Sequence, residues 1–184
     1  MVVQERKAAS SLDRYIAEVR AAWGDGKDRQ LPFKVAALME KLFASTSAED
    51  PWMAELIADS KPSRELYRDP ELGFIQMGHI HKQGHRNQPH DHGPCWVVYG
   101  SFQGVTEITK YKRTDDGFQE GIARLEKERL DRLTPGVVVP YLPGDIHSTH
   151  AVEGPGVVFR FLSYDLEKID RYRYNMEKQT VVKV

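Results

Sequence analysis

The chain of 184 residues has almost no cysteine, no long apolar run and no excess of charge of either sign. Its single cysteine, Cys95, excludes an internal disulfide framework and fits a reducing compartment, so a cytoplasmic location is expected. Nothing approaches the roughly 18 to 20 consecutive apolar residues that a membrane-spanning helix needs. The opening residues, MVVQERKAASS, lack the apolar centre of a secretory signal. With 26 basic and 27 acidic side chains the formal charge is −1, which gives no electrostatic footprint for nucleic acid or an anionic membrane. The length fits one domain with a sizeable core. What the chain does have is histidine: all seven are crowded into residues 79–150.

The first sixty residues carry helical spacing. Leu12, Tyr15, Ile16, Val19, Ala22 and Trp23 recur at three- and four-residue steps, predicting a helix capped by Ser11 and ended by Gly24. Val35, Leu38, Met39, Leu42 and Phe43 repeat the pattern after Pro32, and a third, short helix is expected after Asp50-Pro51. These stripes read as core, because a helix is stabilised chiefly by burying one face. From Gly73 the period becomes two, in short β-rich runs broken by Gly, Pro and Asp. ARLEKERLDRL fits either a helix with a solvated Glu-Lys-Glu-Arg face or a strand, and its place between other strands favours an exposed edge strand. Many short strands in sequence point to a sandwich or closed barrel. The expected organisation is a helical segment over 1–62, a β-barrel over 63–165 and a charged tail over 166–184 lying on the surface.

Two segments carry the chemistry. In the run from Gly84 to His92, His90 and His92 stand two apart; in an extended chain both point to one face and can reach one metal. Asp91 between them faces the other way, where it can orient the histidines or cap a turn. Downstream, Gly136 to His147 brings a Gly144-Asp145 turn and another histidine. The two segments resemble the paired motifs of the cupin superfamily: Gly84, His90, His92 and Gly104 fit the first, and Gly136, Gly144 and His147 the second. Val97 stands where many cupins carry a glutamate, Leu142 where proline is usual and Ala151 where asparagine is usual. The resemblance implies a mainly β fold, a cupin barrel of jelly-roll type behind about three helices, with a metal on His90, His92 and His147.

Three neutral imidazoles without a carboxylate leave a divalent ion with about +2 charge and open positions, which suits an anionic ligand and dioxygen. That site is similar to the one in the cysteine-dioxygenase-like thiol dioxygenases. The similarity extends over roughly residues 30–165, through the leading helices, Arg64-Glu65-Leu66-Tyr67-Arg68-Asp69-Pro70, the PHDHG run, Trp96 and the PGDIH turn. It implies Fe(II), and a small carboxylate-bearing thiol oxidised by dioxygen to a sulfinate. It also implies an arginine for the substrate carboxylate, Arg64 first and Arg68 second, since a planar guanidinium suits that pairing. A surface ion pair with Glu65 or Asp69 is the competing reading of these two arginines.

The chain departs from that family in places. Val97 excludes the cysteine–tyrosine cross-link of its cysteine-specific members, and Cys95, on the same strand face, reads as a buried thiol. Phe159-Arg160-Phe161-Leu162-Ser163-Tyr164 replaces a Ser-His-Tyr relay, leaving Tyr164 or Arg160 to face the pocket. Phe159 and Phe161 in that place lend support to a different, chelating substrate such as a diketone; a non-catalytic metal- or ligand-binding cupin is the further alternative. His79 and His81 form a rival pair of metal ligands or line the pocket, and His85 reads as a turn residue. His150 replaces His147 only if its strand bulges.

Overall fold

The computed structural model describes residues 9–59 and 61–184; the first eight residues, on which the expectation of no secretory signal partly rests, lie outside them. Helices α1 (Ser11–Trp23), α2 (Leu31–Ala44) and α3 (Pro51–Ala58) lead the chain. The cap of α1 is Ser10 and not Ser11: Asp13 N donates to Ser10 Oγ at 3.0 Å while Ser10 N donates to Asp13 Oδ2 at 2.9 Å. Asp13 is the third helical residue counted from Ser10, and this reciprocal pairing decides between two adjacent serines. Ser11, freed from capping, is buried, and its Oγ accepts from Thr46 Oγ1 and Trp52 Nε1, tying α1 to α3 and the loop before it. Proline opens the first turn of both α2 and α3, as the sequence predicts.

Strands β1 (Ser63–Arg68), β2 (Ile75–His81), β3 (Val97–Arg113), β4 (Leu125–Leu133), β5 (Val138–Tyr141) and β6 (Ile146–Leu162) follow. They form one antiparallel sheet in the order β1-β2-β6-β3-β4, with β5 also on β3. The mainly β architecture of antiparallel strands behind three leading helices is the one expected. β3 and β6, each of 17 residues, pair along almost their whole length and are broken by register shifts between Ser101 and Thr106. Gly104 sits in that kink at φ +74°, and a Cβ there would lie 2.6 Å from the Glu153 carbonyl oxygen. Its place in the cupin-like motif is therefore a backbone requirement. β4 is the exposed edge strand expected from ARLEKERLDRL.

Alternation along β3 and β6 separates two cores. Trp96, Val98, Val157, Phe159 and Phe161 pack against Trp23, Met39, Phe43 and other helical residues. Cys95, Val97, Tyr99, Tyr141, Val158 and Leu162 form a second cluster on the opposite face. Phe159 and Phe161 thus belong to the helix-packing face and take no part in shaping a substrate pocket. This removes the support they lent to a diketone.

The segment 166–184 is also more than a surface tail. Strands β7 (Tyr172–Asn175) and β8 (Thr180–Lys183) make an antiparallel hairpin. β7 bonds to the loop between β2 and β3: Tyr174 N donates to Pro89 O at 2.8 Å and Asp91 N to Tyr172 O at 3.1 Å.

Candidate metal centre

His90 and His92 lie on that loop, and His147 is the second residue of β6. His90 and His147 exchange both backbone hydrogen bonds at 2.9 Å, so the two ligand-bearing segments are locked in register. Directly opposed residues of an antiparallel pair project to one face. The three ring centroids are 4.7 to 5.1 Å apart, and one ligand atom from each histidine lies within 4.8 Å of the others. His150 is not part of this group: β6 pairs with β3 without a shift from Ile146 to Ala151, so His150 points opposite to His147 and lines an outer groove instead.

The hydrogen bonds choose the tautomers. His90 Nδ1 donates to Gln88 O at 2.8 Å and His147 Nδ1 to Asp145 O at 3.2 Å, which leaves each Nε2 lone pair free. Burial, foremost, pushes all three imidazoles below their ordinary value, so they are neutral donors at pH 7. Tyr99 Oη stands 3.3 Å from both His92 Nε2 and His147 Nε2. One hydroxyl proton serves only one nitrogen at a time, so the buried lone pairs are under-used until a cation shares them. Three convergent neutral imidazoles fit a divalent transition metal with coordination positions to spare. The three histidines can hold such an ion.

No carboxylate joins the group among the described residues. Asp91 faces away: its Oδ1 accepts from Gly93 N and Tyr172 N, and its Oδ2 from Tyr174 Oη. Val97 is buried on the inner face of β3, two residues before Tyr99. Tyr99 escaped the sequence reading although the same alternation that placed Val97 inward places it there too. Its hydroxyl keeps its proton at neutral pH, because burial raises its pKa. Cys95 is a buried thiol that accepts from Ser163 Oγ, its pKa also raised by burial.

A cavity of about 350 Å³ opens beside His90 and His92. Its cationic lining is Arg86, Arg160, Arg171 and Arg173. Arg160 lies across the β3–β6 ladder from Tyr99, and Arg171 and Arg173 come from the C-terminal hairpin. Arg64 and Arg68 do not line this cavity. Arg64 pairs with Glu55 at 2.6 Å, and Arg68 is clamped between Glu65 and Asp165 at 2.8 and 2.7 Å. Tyr164 is half exposed and lines another depression with Trp23, Pro94 and Trp96. The arginines of the hairpin could have been found in Arg171-Tyr172-Arg173-Tyr174, whose alternation is that of a strand with one buried face.

His79, His81 and His85 form a separate row, with centroids 5.6 and 4.6 Å apart. With Arg160 they line a smaller cavity of about 210 Å³. They are pocket-lining residues, and the rival pair His79 and His81 gathers no third ligand among the described residues.

No family model and no curated protein matches the chain. Among solved structures, it is similar to KdgF from Halomonas sp., at 20% identity and TM-score 0.41, over 56% of this chain and 82% of that one. BH2720 from Bacillus halodurans is similar at 9% identity and TM-score 0.47, over 59% and 74%. Peruvianin-I, a cysteine peptidase from Thevetia peruviana latex, is similar at 22% identity and TM-score 0.40, over 50% and 52%. Likeness at these scores carries no functional argument. Among the described residues, no helix is long and apolar enough to cross a membrane.

Proposed function

We propose that this chain is a three-histidine metal-dependent dioxygenase that oxidises a small, carboxylate-bearing thiol to its sulfinate. The observation that carries the reading is the convergence of three neutral imidazoles, those of His92 and His147 buried, with no carboxylate among them, beside a cavity walled by arginines. Such a site keeps the full charge of a divalent ion and presents it to an anion. The reaction balances as thiol plus dioxygen giving sulfinic acid, with both oxygen atoms on sulfur and no further reductant. Ferrous iron on His90, His92 and His147 supplies binding positions for the thiolate and for dioxygen.

The remaining work falls to this chain's own side chains. Arg160 holds the substrate carboxylate, in the role that sequence resemblance gave to Arg64 or Arg68. Guanidinium forks fix a carboxylate in orientation as well as position, which keeps the sulfur beside dioxygen. The positive field of Arg160 and Arg171 lowers the pKa of the incoming thiol, so that it enters as thiolate. Tyr99 Oη, still protonated, stands at the Nε2 atoms of His92 and His147; once those lone pairs go to a metal, its hydroxyl is free to donate into the site. The test is anaerobic reconstitution with ferrous iron, then oxygen uptake on cysteine, 3-mercaptopropionate, cysteamine and a diketone. Uptake matching sulfinate formation on the carboxylate-bearing thiols supports the reading; uptake with the diketone alone, or with none, contradicts it.

A further inference from the structure

The cavity beside the histidines holds more positive charge than one carboxylate can use. Arg86, Arg160, Arg171 and Arg173 line it, and no acidic residue does. Among the described residues, none of the four takes part in an ion pair. Elsewhere Arg20, Arg64, Arg68, Arg113, Arg129 and Arg132 each meet a carboxylate. Arg160 Nε is buried and has no hydrogen-bond partner. A buried, unpartnered donor of that kind costs stability unless a ligand accepts from it. The arginines also come from different places: Arg160 from β6 at the back of the cavity, Arg171 and Arg173 from the hairpin, and Arg86 from the histidine loop.

We propose that the ligand of this cavity carries two anionic groups, one held by Arg160 and the second by Arg171 and Arg173 with Arg86. This rests on taking the cavity as the substrate site of the metal centre, and it narrows the substrate to a small dianion. Two carboxylates, or a carboxylate with a phosphonate or phosphate, share this chemistry. The hairpin is then a specificity element: alternation turns Tyr174 toward Asp91 and Arg171 and Arg173 to the cavity.

The test uses zinc-loaded full-length protein, without thiol or redox chemistry, and calorimetric titration at low ionic strength. Succinate and butyrate have the same carbon count and differ in one charged group; 3-phosphonopropionate is the third probe. Succinate or the phosphonate should bind at least about 10-fold tighter than butyrate, and whichever is tighter identifies the second group. In Arg171→Gln/Arg173→Gln that preference should fall below about 3-fold while butyrate binding is retained; Arg132→Ala, on a surface ion pair, should keep it. Glutamine keeps the polarity and removes the charge, and an unchanged thermal midpoint shows that the hairpin is in place. Equal binding of all three probes, no binding of any, or a preference that survives the double change would overturn the inference. Oxygen uptake is independent of this result once mercaptosuccinate, a thiol with two carboxylates, joins the panel: a dianion preference without turnover on it or on any other thiol would sink the dioxygenase reading and leave this one standing.

Discussion

The Asp91 carboxylate, placed between the two histidines of the loop, accepts a 2.7 Å hydrogen bond from the Tyr174 hydroxyl through Oδ2. Its other oxygen accepts from the backbone of Gly93 and of Tyr172. One buried acid thus caps the metal loop and docks the hairpin that carries Arg171 and Arg173.

Tyr174→Phe removes a hydrogen bond to a charged acceptor, which should cost about 1.5 to 3 kcal/mol. Thermal unfolding should register that loss, and amide exchange should quicken across Tyr172–Asn175. Metal content should hold, because the backbone bonds between His90 and His147 remain. Exchange as slow as in the parent would show that the hairpin does not hang on this bond.

Arg160→Ala should weaken binding of 3-mercaptopropionate by about 10- to 150-fold, the range for a charge-assisted hydrogen bond, and barely affect cysteamine, which has no carboxylate. Arg64→Ala should leave both unchanged, since Arg64 is engaged by Glu55. A carboxylate-dependent loss in Arg64→Ala with none in Arg160→Ala would return the role to β1.

Tyr99→Phe should retain metal and slow thiol oxidation. The phenol stands at the Nε2 atoms of His92 and His147, and its loss removes the donor nearest the reacting atoms. A drop of about 10- to 100-fold in turnover is expected, with substrate affinity moving less. Turnover equal to the parent's would leave Tyr99 a packing residue.

Acid should destabilise the fold through His79 and His81. Burial pushes His79 well below its ordinary value and His81 down to about 4. In the unfolded chain both titrate near about 6.5, so between the two values the unfolded state binds more protons. Their contribution is present above about pH 6.5 and is lost as pH falls through the folded-state values. His79→Gln should therefore flatten the slope of the thermal midpoint between about pH 7 and 5. An unaltered slope would remove His79 from the acid response.

The helices, the change to a period of two and the three histidines were legible because each rests on local spacing or on a motif whose geometry is local. His147 joins His90 over a distance of 57 residues only because both motifs were recognisable on their own. The arginines were not legible in the same way. Arg64 and Arg68 lie on β1, whose partners are acidic residues from α3, β1 itself and the chain after β6, and sequence does not reveal those neighbours. Arg171 and Arg173 sat in a segment whose charge suggested surface, and only the pairing of β7 with the 89–91 loop brings them to the cavity. The cap of α1 shifted by one residue for a simpler reason, the adjacency of two serines.

Metal content after anaerobic reconstitution and gel filtration tests the three-histidine centre most directly. The parent and His150→Ala should each retain close to one ferrous ion per chain, while His90→Ala, His92→Ala and His147→Ala each fall below about a tenth of that. Full retention in His147→Ala, or loss in His150→Ala, would contradict the centre described.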